Sequence, residues 1–479
     1  MDHVAFDASV ELRPIGLAAL EARLRQDLEW LDQPAKPWVP ERRVDGQAVL
    51  DAVIVGAGMC GLAAGAALQL LGIRNIVLLD RAAAGQEGPW ATFARMETLR
   101  SPKTLVGPAL GLPALTPRAW YEAQHGRGAW EALGKIPRTL WMDYLTWYRH
   151  ARGLPVRNGV SVVDIQPHSP ALVTLTLEGG EKLLARHVIL ANGRDGLGGP
   201  FVPPELVAGL ARQRWAHSAD DIDFAALRGR RVGVVGAGAS AMDNAATALE
   251  AGASSVDLFI RRTDIPRANK FTGIGSQGVV HGFESLSDDW KWRFLDHALT
   301  SQTPPPREST LRVSRQGGRF HLGSPVLSVM ETPDGLEVRT PKGLYPLDFM
   351  IFATGFRFDP SARPELSAVA GRIRLWGDAG TPANAELAAS PRLDAAYGFE
   401  ALDAADTEFL SRLHCFNYHA TLSHGKLSGD IPAVSEGATR LAHGIARAVF
   451  VEDKATHFAA LVAFATPELR GDEWVDADL

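Results

Sequence analysis

Two glycine-rich turns carry the spacing that binding a pyrophosphate requires. The first is Gly56-Ala57-Gly58-Met59-Cys60-Gly61, and the second is Gly236-Ala237-Gly238-Ala239-Ser240-Ala241. In such a turn the first glycine makes the tight bend. The second lets a pyrophosphate approach the backbone, and the third lets the following helix pack on the strand. Ala241 in the third place is an allowed variant. The helix N-terminus adds unbonded N–H groups and partial positive charge. Further along, the two units end on opposite charges. Gly56 precedes Asp80 (followed by Arg81) by 24 residues, and Gly236 precedes Arg261-Arg262 by 25. An acidic side chain there accepts hydrogen bonds from a free ribose diol. Arginines there grip a 2′-phosphate with charge-assisted, bidentate bonds. The first unit is therefore expected to bind a nucleotide with free ribose hydroxyls, and the second to bind NADPH.

The elements around each turn fit these roles. Ala52–Val55 reads as a buried parallel strand, Leu62 to about Leu71 as a small-residue helix, and Asn75–Leu79 as the next strand. The second unit repeats the order with Val232–Val235, a helix, and Ser255–Ile260. The units lie 180 residues apart, so each begins its own sheet. Upstream, Leu17–Leu31 has apolar residues at helical spacing, and Pro34, Pro37 and Pro40 stop it. This extension reads as a surface brace or part of a homo-oligomer contact. The loop after Asp80, with Trp90 and RMETLRSPK, is irregular and aromatic, as loops that line sites often are. Val160–Gly193 alternates as hairpin strands with a Gly179-Gly180 turn, and Ile265–Pro306 reads as helical and polar.

Composition narrows the function classes. The chain has 479 residues, 46% of them hydrophobic, and a net charge of −6. That length suggests two or three domains. No basic excess argues for nucleic acid or an anionic membrane, and no apolar window approaches spanning length. The N-terminus carries no signal-peptide pattern. Two cysteines, Cys60 and Cys415, cannot build a disulfide framework, so a cytoplasmic protein is expected. No CxxC accompanies Cys60, which argues against thiol–disulfide chemistry. His414, His419 and His424 recur every five residues, not a common zinc spacing, so no metal site is expected.

The order of motifs resembles the class B flavin-dependent monooxygenases, especially the flavin-containing and auxin-forming types. It runs GxGxxG to Asp80, a strand ending in Ala191-Asn192-Gly193, GxGxSA to Arg261-Arg262, and a strand ending in Ala353-Thr354-Gly355-Phe356. The resemblance covers about Asp51 to Phe450. It implies an α/β fold of two Rossmann-like domains, the NADPH domain inserted in the FAD domain, behind an N-terminal helical extension. The expected boundaries are 1–50 for the extension, 51–215 and 345–450 for the FAD domain, 216–344 for the NADPH domain, and 451–479 for a C-terminal tail. FAD is expected on Gly56, Gly58, Gly61, Asp80, Arg81 and Trp90, with Thr354, Gly355 and Asp430 closing on it. NADPH is expected on Gly236, Gly238, Ser240, Ala241, Arg261 and Arg262.

The implied reaction needs only a small-molecule substrate and O2 as partners. NADPH reduces the flavin, O2 gives a C4a-hydroperoxide, and one oxygen passes to an amine or sulfur. Arg100, where the family has a flavin-side asparagine, and Arg307, roughly at the catalytic arginine of the Baeyer–Villiger enzymes, are the candidate catalytic residues. The Baeyer–Villiger fingerprint itself is broken. Only His217 fits it, while Ala211, Gln213 and Asp221 occupy its phenylalanine, glycine and tryptophan positions. Alternatives are a flavin reductase or oxidase, Baeyer–Villiger oxygenation, and a non-catalytic nucleotide-sensing flavoprotein.

Overall fold

The computed structural model describes residues 14–380, 384–474 and residue 477. Each glycine turn sits at the end of the central strand of its own sheet, a strand whose sheet neighbours on both sides run parallel to it. The first sheet is built from Arg42–Val44 (β1), Gln47–Val55 (β2), Ile76–Asp80 (β3), Val156–Asn158 (β4), Val162–Ser169 (β5), Leu172–Leu177 (β6) and Lys182–Leu190 (β7). Their order is β4-β3-β2-β7-β6-β5, with β1 antiparallel on β2. Ala52, Val53 and Ile54 are fully buried because helices cover the sheet. That is why the Ala52–Val55 end of β2 reads as an unbroken apolar run rather than an alternation.

The chain leaves this sheet through Gly198–Pro200 (β8) and builds the second one. Trp215–His217 (β9), Arg231–Val235 (β10), Ser255–Ile260 (β11) and Arg319–Leu322 (β12) precede a three-stranded meander. The meander comprises Ser328–Thr332 (β13), Gly335–Thr340 (β14) and Gly343–Leu347 (β15). Phe349–Phe352 (β16) then completes a parallel sheet of order β12-β11-β10-β16-β9. The return strand Phe356–Phe358 (β17) pairs antiparallel with β8, so the two crossings form one two-stranded hinge. Leu413–Cys415 (β18) finally joins β7 in parallel.

These pairings move the expected cuts at 215/216 and 344/345. β9 and β16 both belong to the second sheet, which therefore reaches from β9 to β16. A parallel partner is distant in sequence, so local pattern alone does not reveal it. The segment Lys182–Leu190 is one continuous strand. Arg186 interrupts its apolar run, yet it is fully buried. Its guanidinium pairs with Glu452 at 2.6 Å and Asp453 at 2.7 Å.

Seven helices matter below: Leu17–Trp30 (α1), Met59–Leu70 (α2), Arg138–Ala151 (α3), Ala239–Glu250 (α4), Asp288–Ser301 (α5), Arg307–Arg315 (α6) and Val434–Glu452 (α7). α1 buries Leu20 and Leu24, and Trp147 of α3 donates to Glu21 at 3.0 Å. The extension is thus fastened to the aromatic helices of the first domain. α7 packs on α2 and closes the first domain's core.

Buried histidines set the acid limit of this fold. His414 donates from Nδ1 to the Ala396 carbonyl at 2.7 Å, which leaves its Nε2 to accept from His187 Nδ1 at 3.0 Å. Both rings are therefore neutral, and burial holds both pKa values below the ordinary range. Burial also lowers His419 to about 4 and His424 to about 3. Each folded-state pKa lies below the unfolded value, so the stability these rings contribute is complete above about pH 6.5. It is lost as pH falls from there through each folded-state pKa, at about 1.4 kcal/mol per pH unit per histidine. Asp51, raised by burial to about 6, acts in the opposite sense, as do Asp243 and Glu386, but these are three groups against five, since burial lowers His217 as well. Urea unfolding midpoints are expected to fall steeply between pH 6.5 and 4. A flat profile over that range would contradict the neutral, buried assignment.

Candidate active site: two nucleotide clefts and the loop between them

In the first cleft, each glycine has a distinct steric reason. Gly56 has φ +104°, and a Cβ there would lie 2.5 Å from the Ala191 carbonyl oxygen of the neighbouring strand. A Cβ on Gly61 would lie 1.9 Å from the Gly56 carbonyl oxygen, so only glycine lets α2 sit this close to β2. Gly58, by contrast, faces open space, with nothing nearer than 3.9 Å to a Cβ. α2 begins at Gly58 with no side-chain cap and no acidic residue in its first turn. Its first N–H groups are therefore left for a ligand. This open, uncapped cradle fits the diphosphate of FAD.

Asp80 does more than wait for a ribose. Its carboxylate accepts from the N–H of Ala57 and of Ala82, both at 2.8 Å, and so fixes the shape of the glycine turn. Its remaining lone pairs can still take hydroxyl donors. Arg81 is exposed. Glu87, buried in the following loop, holds Asn158 at 2.7 Å and Arg149 at 3.1 Å and anchors that loop to β4. Trp90 is half-buried and meets Trp141 edge-on at 6.3 Å. Asp430 lies on the returning segment just before α7, which rests on the glycine turn through Cys60 Sγ donating to the Ser428 carbonyl at 3.4 Å. Burial, with Asp430 adding to it, raises the Cys60 thiol, so it is no nucleophile.

The second cleft repeats the geometry more loosely. Gly236 has φ +130°, and its Cβ would lie 2.7 Å from the Ala353 carbonyl oxygen. Ala241 is fully buried, and its methyl would sit 3.4 Å from a Cβ on Gly236. The helix here stands far enough from the strand to admit that methyl. Gly238 faces open space, α4 is uncapped, and Ser240 is exposed in its first turn. The two arginines differ. Arg262 donates to the Thr300 carbonyl at 2.6 Å, at the C-terminal end of α5. Arg261 is exposed at the end of β11. Thr354 donates to the Phe201 carbonyl. Gly355 accepts from His217 Nε2 and from the Phe201 N–H, both at 2.9 Å. Both residues thus stitch β16 to the hinge.

The loop after Trp90 spans the gap between the domains. Arg95 donates to the Asp220 carbonyl at 3.3 Å, and Arg100 to the Pro304 carbonyl at 2.8 Å. Partial burial lowers the Arg100 pKa, and the Asp430 carboxylate opposes that shift. Arg100 therefore sits between the Asp430 segment and Pro304 of the second domain. Lys103 caps the end of the short helix Arg127–Ala132 through the carbonyls of Trp130, Glu131 and Leu133. Arg307 is not gathered with these groups. Its side chain is 79% exposed at the start of α6 and, among the described residues, pairs only with the adjacent Glu308, because the proline loop before it carries it outward.

Sequence reasoning missed a pocket at the hinge, lined by Arg194, Glu386, His419 and apolar side chains of both domains. One signal was present. Arg194 follows directly on the strand end Ala191-Asn192-Gly193, and ligands of open α/β sheets gather beyond such carboxyl ends. Among the described residues, no group of three His, Cys, Asp or Glu side chains is arranged to hold a metal ion. Among the same residues, no helix is long and apolar enough to cross a membrane.

Residues 53–272 match the family model described as pyridine nucleotide-disulphide oxidoreductase. Both cysteines are free, so the match lies in the nucleotide domains and not in a redox disulfide. The FAD-dependent urate hydroxylase of Xanthomonas campestris pv. campestris is 42% identical over 468 residues, covering 96% of this chain and 98% of the relative. Among solved structures, the L-lysine 6-monooxygenase of Pseudomonas syringae superposes with a TM-score of 0.65 at 19% identity, over 84% of this chain and 100% of that one. The ornithine N-hydroxylase of Kutzneria sp. 744 gives 0.64 at 17% identity, over 84% and 99%. A flavin-containing monooxygenase from Stenotrophomonas maltophilia gives 0.56 at 20% identity, again over 84% and 99%. These structures share the fold, and the end-to-end relative shows the family: the chain belongs to the family of the FAD-dependent urate hydroxylase, and is an FAD-dependent monooxygenase.

Proposed function

We propose that this enzyme hydroxylates urate or a closely related oxopurine, with NADPH as electron donor and O2 as oxygen source. The observation that carries this reading is the urate-hydroxylating relative, 42% identical along nearly the whole of both chains. The balance is one NADPH, one proton and one O2 for each oxygenated purine, with NADP+ and water released. The acceptor is then an electron-rich ring atom rather than the amine or sulfur that the family resemblance alone suggests. Bound FAD supplies the two-electron transfer and the activation of O2.

The chain's residues bind and orient. The Gly56–Gly61 turn and the α2 N-terminus hold the FAD diphosphate, and Asp80 holds its ribose. The Gly236–Ala241 turn, with Ser240, holds the NADPH diphosphate. Arg261 takes the 2′-phosphate, since Arg262 is already bonded to Thr300. Arg100 and Asp430 bring charge to the flavin side of the cleft, and Trp90 walls it. Two free cysteines suit a cytoplasmic setting. A substrate survey tests the reading. Urate should accelerate NADPH oxidation with little peroxide released, whereas lysine, ornithine and thioethers should not. Coupled turnover of an amine with no response to urate would refute it.

A further inference from the structure

The C-terminal end of the chain carries an apolar surface that neither nucleotide cleft uses. After α7 the chain turns at Asp453 and forms a further helix, Lys454–Ala463 (α8). Its sequence, KATHFAALVA, holds a single lysine and no acid, and none of its residues is buried. Phe458, Leu461 and Val462 stand at i, i+3 and i+4, so they share one face. They are 66%, 70% and 70% exposed, and Phe464 just beyond the helix is 71% exposed. Phe450 and Val451, in the last turn of α7, are exposed as well.

The His457 ring fastens α8 to the body. It stacks on Phe450 at 4.8 Å and meets Trp38 at 5.8 Å. A helix this short is marginal in water by itself and depends on packing an apolar face. Among the described residues, no segment of the chain covers that face, and residues 464–474 are themselves exposed. Charge decides against a bilayer as the cover. Helices that lie in a membrane surface line their polar face with lysine and arginine. α8 has only Lys454, and the segment after it adds Glu468, Asp472 and Glu473 against one Arg470. Towards a second copy of the chain there is no such barrier. Glu452 and Asp453, the acids at the root of α8, are already paired with Arg186 and Arg412. A two-fold contact uses the same patch on both chains, so one unpartnered patch is enough. Burying the exposed parts of Phe450, Val451, Phe458, Leu461, Val462 and Phe464 removes on the order of 600 Å² from each copy. The alanines between them bring this near the roughly 800 Å² per partner of a standard interface.

We propose that α8 and the adjoining end of α7 form the two-fold contact of a homodimer, with Phe458, Leu461 and Val462 at its centre. The contact is independent of which substrate the enzyme takes. The test is light scattering of the FAD-loaded enzyme on a sizing column at micromolar concentration. The wild type should show twice the 51.6 kDa chain mass. The double variant Phe458→Asp, Leu461→Asp should show one chain mass with its FAD content unchanged, since both side chains are exposed in the single chain. Leu344→Asp, at an exposed leucine on β15 of the second domain, should remain a dimer. A wild type of one chain mass, or a dimer that survives the double substitution, would overturn the proposal. So would a monomer that dimerises only once residues 1–13, which lie outside the described residues, are removed, because that segment would then be the cover. Monomeric wild type that sediments with phosphatidylcholine vesicles, while the double variant does not, would assign the face to a bilayer and overturn it equally.

Discussion

Gly61→Ala is expected to yield a chain that purifies without bound FAD, retaining less than about a tenth of the wild-type flavin. A Cβ at this position would sit 1.9 Å from the Gly56 carbonyl oxygen and 2.9 Å from its carbonyl carbon. Both are backbone atoms at the base of the pyrophosphate cradle, so no side chain can rotate away. α2 would have to move off β2 by more than an ångström, carrying the Gly58 N–H groups with it. Overpacking against backbone belongs with the largest single-residue effects, of about 4 kcal/mol or more. The matched control is Ala241→Gly at the equivalent place in the second unit. There a methyl is already accommodated, so its removal should cost about 1 kcal/mol and leave NADPH binding in place. The readouts are the flavin-to-protein absorbance ratio and the urea midpoint. A Gly61→Ala chain with a full complement of FAD would contradict the close helix–strand packing.

Arg261→Ala should lower the preference for NADPH over NADH, measured as the ratio of kcat/KM values, by about 30- to 100-fold. That corresponds to about 2–3 kcal/mol, the worth of a charge-assisted hydrogen-bond pair to phosphate. Arg262→Ala should shift the same ratio by less than about threefold, because the Arg262 guanidinium is committed to the Thr300 carbonyl. The effect should reside in the KM for NADPH and shrink with rising salt, as expected for an exposed charge. A double variant with an unchanged ratio would remove the second cleft as the NADPH site.

The parts of this molecule that are local in sequence were legible there. Both strand–turn–helix units and α1 fall where apolar period and turn residues placed them. Non-local features were not legible. β9 and β16 join the second sheet through parallel partners far along the chain. Arg261 and Arg262 are equivalent as letters, and only the end of α5 distinguishes them. Arg307 aligned by position alone, and the proline loop leaves it in solvent. The pocket of Arg194, Glu386 and His419 draws on three segments that meet only because β8 and β17 bring the chain back through one hinge.

Oxygen transfer to an oxopurine is measured most directly by turnover of urate with NADPH under 18O2, with mass analysis of the purine product beside quantified NADPH and peroxide. One 18O atom is expected in the product per NADPH consumed, with peroxide a minor fraction. NADPH oxidation that returns its oxygen as peroxide, with unlabelled urate recovered intact, would contradict it.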